Sequence, residues 1–429
     1  MLDGPTAQIT ALAFDHAGSL LANASWDGLV RLWNPDNGRQ LASYPGGSWQ
    51  LQFSTDDREL LGWQYVAHFG ALEVAESREF RLLSLPRSKI VGTGVSCPNF
   101  SADGRILAAT AGETVRFWNA YSGQPIASLP VNCDSHVFQP DGRGLIVTDW
   151  EKGVRRRQLE HLGDSASLAY RLGESQSLYD GLGLDQGALS RDGRYFAFEN
   201  SEGEFLILDL NNPSAKPVVL RPDPLVADRT AISPEGRWVA TSSWHNPFVQ
   251  IWDAHSGALV RTLSLPARTL AAFSPDGHWL ATSTSEYQLW EVGSWRPKGP
   301  PRPGCDVPER NFTAFSGDGR LMARTLEGTK IQLLETATER PLATLEAPNN
   351  VALGEFQFSP DGSRLAAMQQ DLQVQLWDLR LIRQDLQAMN LDWDTPPHPA
   401  VEPPATASSV TLEIEPEPAN HPTNDPGGK

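Results

Sequence analysis

The chain has 429 residues, 40% of them hydrophobic and 20% charged, with 36 Gly, 33 Pro, 14 Trp and a formal net charge of −17. That length is ample for a large core, and the Gly, Pro and Trp content favours many short strands over long helices. The acidity disfavours nucleic acid phosphates and anionic lipid surfaces as partners.

The N-terminus, "MLDGPTAQIT", has neither a basic start nor an apolar run, and no stretch of roughly 18 apolar residues occurs elsewhere. Cys97, Cys133 and Cys305 lie far apart and form no CxxC pair, which points to a reducing compartment rather than a disulfide framework. A soluble, cytoplasmic protein with no membrane partner is expected.

The first predicted strand, "ITALAF" (residues 9–14), opens a pattern that returns along the chain. Large apolar anchors fall at Phe14, Phe53, Phe100, Phe138, Leu189, Ile232, Phe273, Phe315 and Phe358, at intervals of 38 to 51 residues. A second ruler runs inside each unit. The closing positions Trp33, Leu72, Trp118, Arg157, Leu208, Trp252, Trp290, Leu334 and Trp377 stand 17 to 20 residues beyond their anchors. Between the two rulers lie turns such as "SADG" (101–104), "QPDG" (139–142) and "SPDG" (274–277 and 359–362), in which Pro sets φ and Gly supplies a positive one. Second strands such as "RWVATSS" alternate in period two, third strands read "VRLW" or "VQIW", and weaker fourth strands read "PIASLP" or "PLATLEAP". A period near 40 with four short strands is one propeller blade. Such a blade cannot bury its own faces, so Trp33, Trp118, Trp252, Trp290 and Trp377 are expected in the packing between blades.

On "FSPDG", "VRLWN" and "VQLWD" the units over residues 8–378 resemble WD40 repeats, which implies a circular β-propeller. The Gly-His dipeptide of well-formed WD40 repeats is missing from every unit, and Asp27 in "WDGLVRLW" is the one good match to the family's loop Asp. The expectation is an all-β fold: residues 1–378 as a single ring of eight or nine four-stranded blades, favoured over a seven-bladed ring with two stray repeats. The ninth unit lacks an obvious fourth strand, and "MLDGPT" is short for the closing strand the family often draws from its N-terminus.

After Trp377, Leu379, Ile382, Leu386 and Met389 recur at spacings of 3, 4 and 3, so residues 379–393 read as an amphipathic helix lying on the last blade and shielding its open edge. Residues 394–429 are Pro-rich and acidic with Lys429 as the single basic residue, and read as disordered. The exception is "VTLEIE" (410–415), whose alternation makes a strand if a partner edge is offered. The wording "WDLRLIRQDLQAMNLDWDTPPHP" resembles the C-terminal end of WD40 arrays in large bacterial signalling proteins, many of which carry a Ser/Thr protein kinase. That resemblance implies a sensor or scaffold array, although no kinase motif is present.

Catalytic and cofactor motifs are weak. "GLGLDQG" (181–187) spaces its third Gly one position late for a phosphate loop, and the nine histidines form no HxxxH or HExxH, so no cofactor or metal is expected. The triplets at Asn23, Asn99 and Asn311 read as chance, and the inner-strand starts that would serve an enzyme are mostly small or apolar, with Asp134, His136 and Asp185 as weak exceptions. The Arg155–Arg157 run should point one side chain into packing, which an acidic neighbour alone would explain.

A propeller instead offers a face. Loops leading into first strands and loops joining second to third strands gather on one side, where exposed aromatics and arginines form hot spots. The first set supplies Trp49, Arg229, Arg268 and Arg310; the second supplies Trp26, Trp150, Trp244, His245 and Phe248. These nine are the candidate partner-binding residues of a non-enzymatic module that binds other proteins or peptides. The rivals are an accessory array for a Ser/Thr kinase and a propeller enzyme with its site at the central channel.

Overall fold

The computed structural model describes residues 5–16, 18, 20–35, 38–45, 49–55, 57, 59–64, 68–73, 79–85, 98–110, 113–163, 168–181, 183–222, 229–243, 246–266, 269–305, 311–346, 351–370, 373–393 and 410–416. The chain divides into two compact units, Met1–Arg78 with Glu346–Asn350, and Glu79–Leu345 with Val351–Lys429.

Among the described residues the first unit holds two antiparallel sheets. Strands Ile9–Phe14, Leu21–Ser25, Leu29–Asn34 and Arg39–Pro45 form one, and Leu51–Phe53, Glu59–Gln64 and His68–Glu73 form the other, a three-stranded sheet. Ala22, Ala24, Val30, Leu32, Phe53 and Leu60 make their shared core. Asp27 accepts from both Arg31 nitrogens (3.0 and 2.8 Å) and from the Thr6 and Leu29 amides (2.9 and 3.2 Å). The Arg31 hydrogen bond holds its carboxyl far below the ordinary range.

Among the described residues the second unit holds seven sheets, here blades 1 to 7. Blade 1 is Asn99–Phe100, Ile106–Thr110, Thr114–Asn119 and Pro125–Pro130; blade 2 is Cys133–Phe138, Gly144–Asp149, Gly153–Leu162 and Ala169–Tyr179, with Thr411–Ile414 added. Blade 3 is Gly183–Leu189, Tyr195–Asn200, Phe205–Asp209 and Val218–Leu220; blade 4 is Arg229–Ile232, Trp238–Ser242, Phe248–Asp253 and Leu259–Ser264. In blade 5, Leu270–Phe273, Trp279–Ser283 and Glu286–Glu291 are followed by a fourth strand broken into Arg296–Pro297 and Arg302–Pro303. Blade 6 is Thr313–Phe315, Leu321–Leu326, Lys330–Glu335 and Pro341–Glu346, and blade 7 is Leu353–Phe358, Arg364–Gln369, Gln373–Asp378 and Phe80–Ser84. Each inner strand packs against the next, and that of blade 7 packs against that of blade 1, so the series closes into a ring.

The recurrent turn explains why these sequences form hairpins. In blade 1 the Ser101 hydroxyl donates to Asp103 (2.6 Å) while accepting the Ile106 amide (2.9 Å), and the Asp103 carboxylate accepts the Arg105 amide (3.1 Å). The Ser-to-Asp bond repeats at Ser190, Ser274, Ser316 and Ser359. The turn glycines need left-handed backbone: Gly104, for example, has φ +69°, with Pro360 of blade 7 3.7 Å from where a Cβ would stand. Asn99 stitches the same seam: its amide donates to Gln357 of blade 7 (3.1 Å) and its oxygen accepts the Phe138 amide of blade 2 (2.8 Å).

The all-β propeller class and the short C-terminal helix hold, but the blade count differs from the favoured reading. The second unit closes with seven blades, and the remaining two sheets lie in the first unit. The spacing rulers count repeats correctly and carry no information on which repeat the last one meets. The fourth strand missing from the ninth repeat is Phe80–Ser84, which pairs Phe80 with Trp377 and Ser84 with Gln373. In chain order that segment is the fourth strand of the second repeat, whose own sheet has three strands among the described residues.

The closing positions behave as packing residues. Trp33, Trp118, Trp252 and Trp377 are buried, as are Leu208 and Leu334, and Trp290 is half-buried. The helix spans Leu379–Ala388 and touches the second strand of blade 7. It is shorter than 379–393: Asn390 takes a φ of +57°, which stops it, and Met389 is exposed. With Phe80–Ser84 in place, the helix is not the cover of an open edge. Within the tail, Thr411–Ile414 does form a strand, parallel to the outer strand of blade 2. Among the described residues no helix is long and apolar enough to cross a membrane.

Candidate interaction face

The starts of the inner strands converge at one end of the ring, over a cavity of about 150 Å³ between blades 4, 5, 6 and 7. Arg229 and Thr230 enter it from blade 4, Leu270 from blade 5, Phe312 and Thr313 from blade 6, and Glu355 and Phe356 from blade 7. Arg229 Nε lies 3.4 Å from Glu355 Oε1, with side chains 21% and 16% exposed, so the pair is largely withdrawn from water yet reachable. Glu355 sits in the register break between Leu353 and Phe356, where the interrupted alternation admits a charge on an otherwise uncharged strand. Phe312 and Phe356 meet edge to face at 6.4 Å, and the Ser283 and Thr313 hydroxyls are 2.5 Å apart. Opposite charges, hydroxyls and two aromatic rings in one cleft can hold a polar or charged side chain of a partner.

The nine sequence-derived candidates divide four ways. Arg229 lines this cavity. Phe248, half-buried, begins the third strand of blade 4 opposite Ser264, and Trp150, half-buried, donates its amide to Asn132 O (2.9 Å) where blade 2 begins. In the first unit Trp26 and Trp49, 54% and 47% exposed, stack edge to face with centroids 4.7 Å apart. That pair joins a second-to-third-strand loop to the loop leading into the next sheet, as the sequence logic requires. The bridge between Ser243 and Thr269 makes the same junction between blades 4 and 5. Trp244, His245, Arg268 and Arg310 lie outside the described residues.

Other singled-out groups are structural. His136 is buried on the inner strand of blade 2, its Nδ1 2.8 Å from Thr110 Oγ1, and burial pulls its imidazole down to about 4. The side chains of Asp134 and Asp185 lie outside the described residues. Cys133 and Cys305 are buried, as are Asn23, Asn99 and Asn311, and "GLGLDQG" runs into the inner strand of blade 3.

Sequence reasoning missed Glu355, Phe312 and Phe356. A lone carboxylate inside "LGEFQF" was the available signal. It also missed a groove of about 210 Å³ lined by Leu265, Pro266, Trp290, Pro297 and Pro301, which the broken fourth strand of blade 5 leaves open.

Fold and cleft together define a propeller that presents a recessed, mixed-charge surface at one end of its ring. The WD40 family model (WD domain, G-beta repeat) matches residues 1–34, which include the first three strands of the first unit, and 246–287, across blades 4 and 5. No curated protein matches the chain. WD40 repeats generally mediate protein–protein interaction.

Proposed function

We propose that the chain is a non-enzymatic interaction module, a scaffold or sensor whose ring binds protein or peptide partners at the end where Arg229 and Glu355 meet. The cleft supports this reading most directly: a half-recessed ion pair from blades 4 and 7, flanked by Phe312 and Phe356, has the aromatic and arginine character of an interface hot spot. A partner bearing a carboxylate or an ammonium replaces one half of the pair and is read by the rings beside it. Affinity capture with the tagged chain from its native cell tests the reading, with the Arg229→Ala and Glu355→Ala double variant beside it. Partners recovered by the native chain should be lost from the variant; a folded variant that retains all of them places binding elsewhere.

The likeness of the C-terminal stretch to kinase-associated arrays supports a second reading, service beside a Ser/Thr protein kinase. Its test is whether such a kinase is among the captured partners.

A further inference from the structure

Blade 2 differs from its neighbours at its outer edge. Its third and fourth strands run to 10 and 11 residues, against 5 and 3 in blade 3. On that long edge Thr411–Ile414 adds in parallel, pairing with residues 169–172, and the ends are fixed by Thr411 N to Leu168 O (3.0 Å) and Glu415 N to Leu172 O (2.9 Å). The side chains alternate as a strand requires. Val410 and Leu412 are buried with Leu168, Tyr170 and Leu172 of blade 2 and Leu129 of blade 1, whereas Thr411 and Glu413 face outward.

Charge completes the grip. Arg157, 4% exposed, donates one guanidinium nitrogen to Gly173 O (2.7 Å) and to Glu415 O (3.0 Å), which accounts for an arginine on the packing side of its strand. Arg171 lies 3.3 Å from Glu413 and 3.9 Å from Glu415. Beyond Glu415 the edge continues past a cavity of about 230 Å³ lined by Gln158, Glu160, Ser175 and Gln176. Each of these interactions is one that a separate extended peptide could make. The segment reaches the edge across residues 394–409, which include five prolines and no apolar period. Removing it would uncover Leu168 and Leu172, cost the buried Arg157 one of its acceptors, and leave a long unpaired strand edge.

We propose that the outer edge of blade 2 is a binding site for an extended peptide of alternating aliphatic and acidic residues (aliphatic, any, aliphatic, acidic, aliphatic, acidic), which the chain's own residues 410–415 occupy and a partner strand of the same chemistry takes in their place. The site lies on the outer edge of blade 2, apart from the cleft at Arg229, so the two readings fail independently. Tethering gives the resident segment a high effective concentration, so the native chain binds a free peptide weakly until its own strand is unseated.

The test uses a fluorescent peptide of residues 408–417 and anisotropy against two full-length chains, native and Val410→Asp with Leu412→Asp. The variant should bind the peptide about a hundredfold tighter than the native chain. A Leu412→Asp peptide should not bind, and Arg171→Glu added to the variant should weaken binding at least about tenfold. Equal binding to native and variant chains of matching circular dichroism overturns the proposal. Should the variant fail to fold, a protease site placed between Ala400 and Val401 lets the tail be cut on the native fold. Exchange of the cut fragment for excess labelled peptide supports the proposal, and a fragment that never exchanges overturns it. A dimer that the peptide dissociates would put a second copy of this chain in the slot and overturn the partner reading.

Discussion

Phe14 and Phe100 hold the same position in their repeats, each closing an inner strand just before the hairpin turn, yet Phe14 is 59% exposed and Phe100 5%. The difference extends along the strand: Ile9 and Leu12 are exposed with Phe14, whereas in the ring Phe138 and Phe358 are buried like Phe100 and Leu189, Phe273 and Phe315 are half-buried. Phe53, the anchor of the second sheet in the first unit, is 3% exposed because the first sheet packs beside it. Local sequence is therefore not what buries an inner strand. A neighbouring copy does, and in the ring every blade has one on each side, so the stability of each sheet is largely an interface quantity.

The sharpest way to break this contrast is to open the ring at its seam. Leu83 is 4% exposed and sits with Leu107, Trp118, Val374 and Leu376 in the core between blades 7 and 1. Leu83→Asp places an unpaired carboxylate there and should cost the second unit about 3–5 kcal/mol. Leu83→Met keeps the volume and should cost less than about 1.5 kcal/mol. Denaturant unfolding followed by tryptophan fluorescence measures both. A cost under about 1 kcal/mol for the aspartate would mean that Phe80–Ser84 is not what closes the ring.

A second prediction sharpens the comparison by pH. His136 lies in the wall between blades 1 and 2, against Thr110, and burial lowers its pKa from 6.5 to about 4. Its unfolded form therefore binds a proton below pH 6.5 that the folded form does not accept until about pH 4, so stability falls as pH drops across that window. The full loss is about 3 kcal/mol at the usual conversion for a shift of this size. The ring unit should lose that stability between pH 6.5 and 4, and His136→Gln should remove most of the slope. A slope unchanged by the substitution would assign the acid sensitivity to other groups.

How much of this was legible in sequence follows from the range over which each feature is encoded. The turns at Ser101–Gly104 and Ser359–Gly362 are encoded within four residues, and the positions of Trp118 and Trp377 within one repeat, so both could be read directly. Val410–Glu415 was recognisable as a strand in want of an edge because its alternation is local, but the edge it meets is more than 230 residues away and had no mark beyond the misplaced Arg157. Ring closure was least legible. "FRLLS" reads as an ordinary fourth strand, and whether it completes its own sheet or that of blade 7 depends on which apolar faces compete for Leu83. The cleft was half visible: an arginine at a strand start signals a candidate, whereas its partner Glu355 lies 126 positions on and owes its place to a break in register.

The smallest expected effect tests the comparison from its other side. If exposure at Phe14 reflects a missing neighbour and not a defect of the strand, then removing its phenyl group should barely change folding, because little apolar surface is withdrawn from water there in the first place. Phe14→Ser should alter stability by no more than about 0.5 kcal/mol, whereas the equivalent Phe100→Ser, at 5% exposure, should cost several times more. The two substitutions share chemistry, repeat position and strand type, so a matched pair of unfolding curves isolates the contribution of neighbouring blades. Equal losses would show that the inner strand is stabilised within its own sheet and that the copies beside it add little.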